Sequence, residues 1–419
     1  MICRMVASCI IEIDIRSQNS NFTGYAMNTQ SKTLRFTMFA MLYFTQGTIL
    51  GYFASLNALY LLGNGLDMAK VGIFASIALI PFVIKILFGM LSDRFNFFGL
   101  GHRKPYIVIG LLVQFICLLI VARVNPGEHY WTFVALAFIL QLGMAFYDTC
   151  TDGLALDITP ENERGMLQGF MVGGRSVGVI VAASAAGFIA QYFNWPSVFY
   201  FLAILTLIPI PLIFYIKEVS RTPGARFNWS AFGAFKKVQV LAVAVVGLIV
   251  FLVIVGSNQL INPAFNERFQ IDLSTAGLIT TVWGIGCVIG ALAGGIVMDK
   301  AGNKKALWLS ILTVVPSLTL LAVVNNLPLA WVVAVFFGLA YGLTQAVYFA
   351  LAMKYTDPSI AASMYSILMA VTNIGQGIGL GVGGAIAKAA GFPVTFLIFG
   401  GLMFLILPFF PMLFKQKTS

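Results

Sequence analysis

The chain has 419 residues, of which 59% are hydrophobic and only 10% are charged, and its mean hydropathy is +0.92. A soluble protein is about half apolar and about a quarter charged. This composition therefore excludes a soluble protein and predicts one that crosses the membrane several times. The net charge of +10 has no soluble basic domain to carry it, which argues against a nucleic-acid partner. The five cysteines form no CxxC pair and the two histidines lie in predicted loops, so we expect no metal and no cofactor.

Twelve apolar stretches are long enough for a membrane-spanning helix, which needs about 20 residues. The alternation typical of a membrane β-barrel strand is absent, so we predict an all-α membrane protein. The longest connection, 217–237, divides the chain into a first half, 34–216, and a second half, 238–414, between tails at 1–33 and 415–419. The approximate bounds are 34–62, 69–91, 104–122, 130–152, 165–190, 196–216, 238–263, 274–298, 304–324, 328–352, 359–387 and 391–414.

Lysine and arginine are distributed unevenly over the predicted loops. With the N-terminus inside, the inner segments hold 19 of the 25, the outer loops hold four, and Lys85 and Arg175 lie within helices. Because positive charge accumulates on the cytoplasmic side, we predict that both termini are cytoplasmic and that the chain lies in the plasma (inner) membrane. The apolar run before Met27 is short and interrupted by Arg4, so translation from either Met1 or Met27 fits the sequence.

A loop motif occurs once in each half. The first copy reads GMLSDRF at 89–95, followed after an insertion by a basic pair, and the second reads GIVMDKAGNKK at 295–305. The two motif aspartates, Asp93 and Asp299, are about half a chain length apart, which indicates duplication of a six-helix unit. The repeated loop resembles the signature of the major facilitator superfamily.

That resemblance implies twelve helices in two pseudo-symmetric halves, and secondary transport rather than catalysis. It also implies a cytoplasmic gate in which each loop acid faces the start of a helix in the opposite half, where the helix dipole attracts a carboxylate. The residues that the resemblance assigns to this gate are Gly89, Asp93, Arg94, Arg103, Lys104, Asp299 and Lys300.

A narrower resemblance rests on predicted helices 1 and 4. The segments YFTQGTILG at 43–51 and YDTCTDGLALDITPENERG at 147–165 are similar to a branch that contains AmpG-type muropeptide permeases, acetyl-coenzyme A transporters and folate–biopterin transporters. These motifs do not choose among the substrates of the branch, which range from sugar–peptides to pterins to nucleotide thioesters.

Four ionisable residues fall inside the predicted membrane spans, all in the first half: Lys85, Asp148, Asp152 and Arg175. A charge at the membrane centre costs about 3 kcal/mol or more, so each is a candidate for proton coupling or substrate binding. Lys85, Asp148 and Arg175 have similar predicted depths, and Asp148 and Asp152 share a helix face. We expect Asp148 to carry a proton and Lys85 or Arg175 to bind an anionic group. A purely structural ion network is the alternative, and the sequence leaves open which cation pairs with Asp148.

Helices 1, 4, 7 and 10 line the central cavity in the superfamily that the chain resembles. Each of these predicted helices carries polar side chains at helical spacing, namely Tyr43, Gln46, Asn57, Gln141, Asn258, Asn262, Tyr341, Gln345 and Tyr348. Unpaired amides are costly in hydrocarbon, so the four stripes together predict a polar cavity. Any single residue fits interhelical hydrogen bonding equally well.

These features predict a secondary transporter that moves a small polar or anionic solute by alternating access, coupled to protons. The sequence contains no Walker loop and no nucleophile constellation, so we expect neither direct use of ATP nor enzymatic activity. The expected partners are a small-molecule substrate, protons and the lipid bilayer, and the chain is expected to work as a monomer. A non-transporting assembly or receptor protein of the same fold is the alternative.

Overall fold

The computed structural model describes residues 31–94, 101, 103–160, 163–216, 218, 233, 236–355 and 361–414. The tail residues 1–30 and 415–419, and with them both candidate start positions, lie outside this part of the chain, as does most of the central loop. The predicted gate residues Gly89, Asp93, Arg94 and Asp299 lie outside the part whose side chains are described.

Every regular element in the described residues is helical, and the helices form twelve segments, α1 to α12, in two groups of six. The first half contains α1 (Lys32–Ser55 and Asn57–Gly63), α2 (Met68–Val83 and Lys85–Arg94), α3 (Lys104–Val121), α4 (Tyr130–Ile158), α5 (Arg164–Tyr192) and α6 (Trp195–Leu207 and Ile210–Tyr215). The second half contains α7 (Val238–Asn258 and Ile261–Phe269), α8 (Leu273–Ala301), α9 (Asn303–Val323), α10 (Leu327–Lys354), and the long helix Ala361–Met403 followed by Phe404–Phe409 and Phe410–Phe414.

The long helix is divided by Gly391, whose backbone is not helical and has a φ of +82°. We name the part before Gly391 α11 and the part after it, up to Phe414, α12. A positive φ is readily adopted only by glycine, which explains why the chain turns at this position. Within the described residues, nine helical spans are long and apolar enough to cross a membrane, and one of them, Met364–Phe414, covers both α11 and α12. The predicted all-α, twelve-helix membrane fold is therefore confirmed.

Successive segments run in opposite directions, so the bundle has two ends. We call the end at the start of α1 the proximal end and the opposite end the distal end. Four helices that start at the distal end have an aspartate or asparagine at the N-cap, and each of these side chains accepts a hydrogen bond from a backbone N–H three residues later. These caps are Asp67 on α2, Asn194 on α6, Asp272 on α8 and Asn326 on α10.

The two halves pack against each other mainly through two helix pairs, α2 with α11 and α5 with α8. Both contacts are close at the distal end because glycines allow the backbones to approach. A Cβ placed on Gly384 of α11 would lie 2.2 Å from the carbonyl oxygen of Met68 on α2, and one placed on Gly277 of α8 would lie 2.2 Å from the carbonyl oxygen of Ala183 on α5. The halves are therefore closed together at the distal end.

Polar contacts reinforce this distal closure. Lys388 Nζ lies 3.0 Å from Asp67 Oδ2 across the two halves, and the hydroxyl oxygens of Ser184 and Thr281 are 2.8 Å apart between α5 and α8. Deeper in the bundle, Asn373 Nδ2 donates a hydrogen bond to the carbonyl oxygen of Phe82 at 2.9 Å. The contact between α2 and α11 thus extends from Asp67 at the distal end to Phe82, which precedes Lys85 by three residues.

Candidate functional site

Asp148 on α4 is held by residues from two other helices of the first half. Its Oδ1 atom accepts a hydrogen bond from Gln46 Nε2 on α1 at 2.8 Å, and its Oδ2 atom lies 3.6 Å from Lys85 Nζ on α2. The carboxylate is buried, so the ammonium compensates a charge that would otherwise be costly in this place. Of the two cations that the sequence left open, Lys85 is the one that pairs with Asp148.

Asp152 follows Asp148 by one helical turn but has a different environment. It accepts a hydrogen bond from the Tyr43 hydroxyl on α1, and no lysine or arginine among the described residues forms an ion pair with it. The negative charge of Asp148 acts on it electrostatically, as do the positive charges of Lys85 and Arg175. The two carboxylates therefore differ in that only Asp148 has a cation in direct contact.

Arg175 lies in the middle of α5 and its side chain is exposed, with no ion-pair partner among the residues that the structure describes. Its position depends on close packing of α1 against α5, since a Cβ on Gly47 would lie 2.0 Å from the Arg175 carbonyl oxygen. The guanidinium interacts electrostatically with Asp152 and Tyr43 in the first half and with Tyr341 in the second. It therefore faces the space between the halves, and the four predicted membrane-embedded charges form one cluster.

The second half contributes uncharged residues to the same region. Trp283 on α8 and Tyr341 on α10 pack edge to face with ring centroids 5.2 Å apart. Gln345 is half-buried, and its amide has no hydrogen-bond partner in the described chain. Tyr341 and Gln345 were predicted from the polar stripe on helix 10, whereas Trp283 was missed. A tryptophan in the middle of a glycine-rich helix is the signal that could have identified it, because its N–H requires a partner when buried.

Other residues of the predicted stripes lie in interhelical contacts. Asn262 donates hydrogen bonds to the Ser55 carbonyl oxygen at 2.7 Å and to Thr280 Oγ1 at 2.9 Å, and so bridges α7 to α1 and α8. The Tyr348 ring is fully buried 5.4 Å from the Phe251 ring, centroid to centroid. These side chains stabilise helix packing in this conformation.

The remaining predicted lining residues are placed as follows. Asn57 is buried beside a small apolar cavity inside the first half. Gln141 is buried on α4 with its Oε1 atom lacking a partner among the described residues. Asn258 is half-buried at the last residue of the first α7 helix.

Two of the predicted gate residues bond within the first half at the proximal end. The buried Arg103 side chain donates a hydrogen bond to Ser92 and lies 3.6 Å, Nε to Oδ2, from Asp157 at the end of α4. The backbone N–H groups of Arg103 and Lys104 donate to the Glu218 carboxylate, which covers the start of α3. Lys300 is exposed near the end of α8. Glu218 was not among the predicted residues, because it lies in a loop without a motif.

Twelve helices in two packed halves, with a cluster of charges between them, define a multi-pass integral membrane protein with duplicated architecture. The model of the Major Facilitator Superfamily matches residues 36–262 and 243–419. The chain belongs to this superfamily.

Individual relatives agree with this assignment. Putative transporter AmpG 4 of Rickettsia conorii (strain ATCC VR-613 / Malish 7) is 25% identical over 270 residues, which cover 60% of this chain but only 64% of that relative. The anhydromuropeptide permease of Escherichia coli (strain K12) is 23% identical over 357 residues, 80% of this chain and 70% of that protein. The crystal structure of the nucleoside transporter NupG matches with a TM-score of 0.75 at 18% identity, covering 91% of this chain and 100% of that one. The resemblance to the AmpG branch is confirmed, and these relatives are permeases and transporters rather than enzymes.

Proposed function

We propose that the protein is a secondary transporter that moves a small anionic solute across the membrane by alternating access of its two halves, coupled to protons. The observation that carries the proposal is Arg175, a guanidinium in the middle of a membrane helix that faces both halves and has no ion-pair partner among the described residues. An ionisable residue at this depth marks a substrate pathway, and a guanidinium binds carboxylates and phosphates through paired hydrogen bonds, so a solute carrying either group fits this place.

The predicted orientation of the termini indicates to which side of the membrane the site opens in this conformation. If both termini are cytoplasmic, the distal end faces away from the cytoplasm, and the close contacts of α2 with α11 and of α5 with α8 close the site on that side. The solute then reaches Arg175 from the cytoplasm. We therefore propose that this is an inward-facing state of a monomeric inner-membrane transporter, which exchanges with a state that opens at the distal end.

Within the cluster, we assign the coupled proton to Asp152. The sequence favoured Asp148, but Lys85 and Gln46 already compensate the Asp148 carboxylate. Among the described residues, Asp152 has the Tyr43 hydroxyl as its direct partner and no cation in contact with it, so it is the carboxylate of the pair that is left to carry a proton. When an anion binds Arg175, it neutralises the positive charge that acts on Asp152, and Asp152 then takes up a proton. Anion and proton consequently move together.

The name of the Escherichia coli relative indicates a muropeptide as solute. Muropeptides carry carboxylates, so this class agrees with the requirement for an anion at Arg175. They are the first solutes that we would test.

The test uses the full chain in liposomes with an imposed proton gradient. We expect wild-type uptake of a labelled muropeptide to follow the gradient, Asp152→Asn to retain solute exchange but lose gradient dependence, and Arg175→Gln to lose both. Unchanged gradient dependence in Asp152→Asn would overturn the assignment of the proton. Binding without flux in the wild type would instead favour the assembly or receptor alternative.

A further inference from the structure

The second half of the site contains an unused hydrogen-bond donor. Trp283 Nε1 is buried and has no hydrogen-bond partner among the described residues. An indole N–H can only donate, and leaving such a group buried and unpaired is unfavourable, so this position favours a ligand that brings an acceptor.

Two neighbouring side chains on α10 complete a surface with the indole. The Tyr341 ring lies edge to face with Trp283 at 5.2 Å, and Gln345 follows Tyr341 by one helical turn on the same face. The Gln345 amide is half-buried and unpartnered in the described chain, and it offers both a donor and an acceptor. Tyr341 is also close enough to Arg175 to interact with it electrostatically.

We infer that Trp283, Tyr341 and Gln345 form a subsite for the neutral ring of an acidic sugar whose carboxylate binds Arg175. The inference rests on the proposed function and adds the residues that select the ring. Aromatic side chains pack against the apolar C–H groups of a sugar, while the indole N–H and the amide bond its hydroxyl or acetamido oxygens. The helices that carry these three residues contain no charge at this depth, which fits a neutral ring rather than a second ionic group. A bound solute would contact both halves, so its binding would be sensitive to their relative position.

The experiment measures binding to the purified full chain with three matched probes. N-acetylmuramate has both the ring and the acid, N-acetylglucosamine has the ring alone, and lactate has the acid alone. Trp283→Phe keeps an aromatic ring but removes the N–H. We expect it to weaken N-acetylmuramate binding by about fivefold to tenfold, the effect of one hydrogen bond of about 1–1.4 kcal/mol, and to leave lactate binding unchanged. Gln345→Ala should have the same selectivity, and Trp308→Phe serves as the control because Trp308 lies on α9 against Phe410.

The outcomes separate the subsite from the proposed function. Arg175→Gln should weaken the binding of both acids and leave N-acetylglucosamine unaffected, and its failure to weaken either acid would overturn the proposed function. If Arg175→Gln behaves as expected but Trp283→Phe and Gln345→Ala change neither probe, or change lactate and N-acetylmuramate equally, the ring subsite is wrong. Equal binding of lactate and N-acetylmuramate to the wild type would also overturn the subsite.

Discussion

Lys85 Nζ lies 3.6 Å from Asp148 Oδ2, and this ion pair ties α2 to α4 at the depth where the first half faces the second. Lys85 is the first residue of the helix that resumes after the break at Ile84, three residues beyond Pro81. The direction in which the Lys85 side chain points is therefore set by the second helical piece of α2, Lys85–Arg94, and not by the piece before the break. The pair therefore depends on an irregularity of the helix as well as on the residues themselves.

Removing one partner of this pair should destabilise the protein more than removing both. Lys85→Met leaves the Asp148 carboxylate buried without its cation, and we expect a loss of about 3 kcal/mol in the free energy of unfolding, the lower end for a buried pair because Lys85 is partly exposed. The double variant Lys85→Met with Asp148→Asn has no uncompensated charge and should recover most of that loss. Denaturant unfolding in detergent checks this, and a double variant as unstable as Lys85→Met would contradict it.

The charge cluster shows what the sequence could and could not predict. Counting residues along the helices predicts similar depths for Lys85, Asp148 and Arg175, because the helical rise is fixed, and the ion pair of Lys85 with Asp148 agrees with this for two of them. Which cation touches Asp148 depends on the rotation of each helix about its axis, and the break at Ile84 changes that rotation for Lys85. The hydropathy pattern carries no information about such rotations, so the choice between Lys85 and Arg175 stayed open.

The polar stripes were informative for similar reasons. A helical stripe on α10 correctly placed Tyr341 and Gln345 on one face, since that spacing is a property of the helix alone. The stripe on α7 could not predict that the Asn262 amide donates hydrogen bonds to Ser55 and Thr280, because those contacts depend on how α7 packs against α1 and α8. Fold and approximate depth thus follow from local rules, whereas partners follow from packing between distant segments.

The ion pair of Asp67 and Lys388 should make distal closure sensitive to pH. The backbone N–H of Lys70, and then the Lys388 ammonium, hold the pKa of Asp67 below its ordinary value. The charged carboxylate therefore stabilises this conformation above the ordinary pKa, and that contribution is lost as the pH falls through the lowered pKa. The hydrogen bond from Lys70 lies within the first half, whereas the ion pair with Lys388 joins the two halves. Only the stabilisation that comes from Lys388 therefore affects distal closure.

We expect Asp67→Asn and Lys388→Gln to open the distal end to the same small extent. Asparagine keeps the helix cap and removes only the charge, so both variants lose the same exposed ion pair, which is worth about 0.2–1 kcal/mol. The rate of alkylation of Ser184→Cys should therefore rise by no more than about fivefold at neutral pH. Lys70→Gln is the matched control, since Lys70 lies over Tyr130 in the first half and, among the described residues, forms no ion pair across the halves. An equal effect of Lys70→Gln would assign the change to net charge instead.

Distal closure should also depend on one glycine of α11. Gly384→Ala would place a Cβ 2.2 Å from the Met68 carbonyl oxygen, so α2 and α11 must separate, and we expect a cost of about 1–3 kcal/mol to the closed conformation. Gly377→Ala on the same helix is the control, because the nearest atom to its added Cβ would be 3.9 Å away. Disulfide formation between Ser184→Cys and Thr281→Cys reports closure. Its yield should fall with Gly384→Ala and stay constant with Gly377→Ala, and equal yields would contradict the role of Gly384.

Arg103 should stabilise the proximal end of the first half through its contact with α4. Its guanidinium lies against Gly153, where an added Cβ would be 2.5 Å from Arg103 Cζ, and it lies 3.6 Å from Asp157. Gly153→Ala should therefore displace the guanidinium from Asp157 and lower the free energy of unfolding by about 1–3 kcal/mol.

A double-mutant cycle tests whether the two changes act on the same contact. If Gly153→Ala acts by displacing Arg103, then Asp157→Asn should cost less in the Gly153→Ala background than in the wild type, because the pair is already broken. Gly173→Ala on α5, with no atom within 4 Å of the added Cβ, should leave the free energy of unfolding nearly unchanged. Strictly additive effects of Gly153→Ala and Asp157→Asn in denaturant unfolding would show that Gly153 does not act through Arg103.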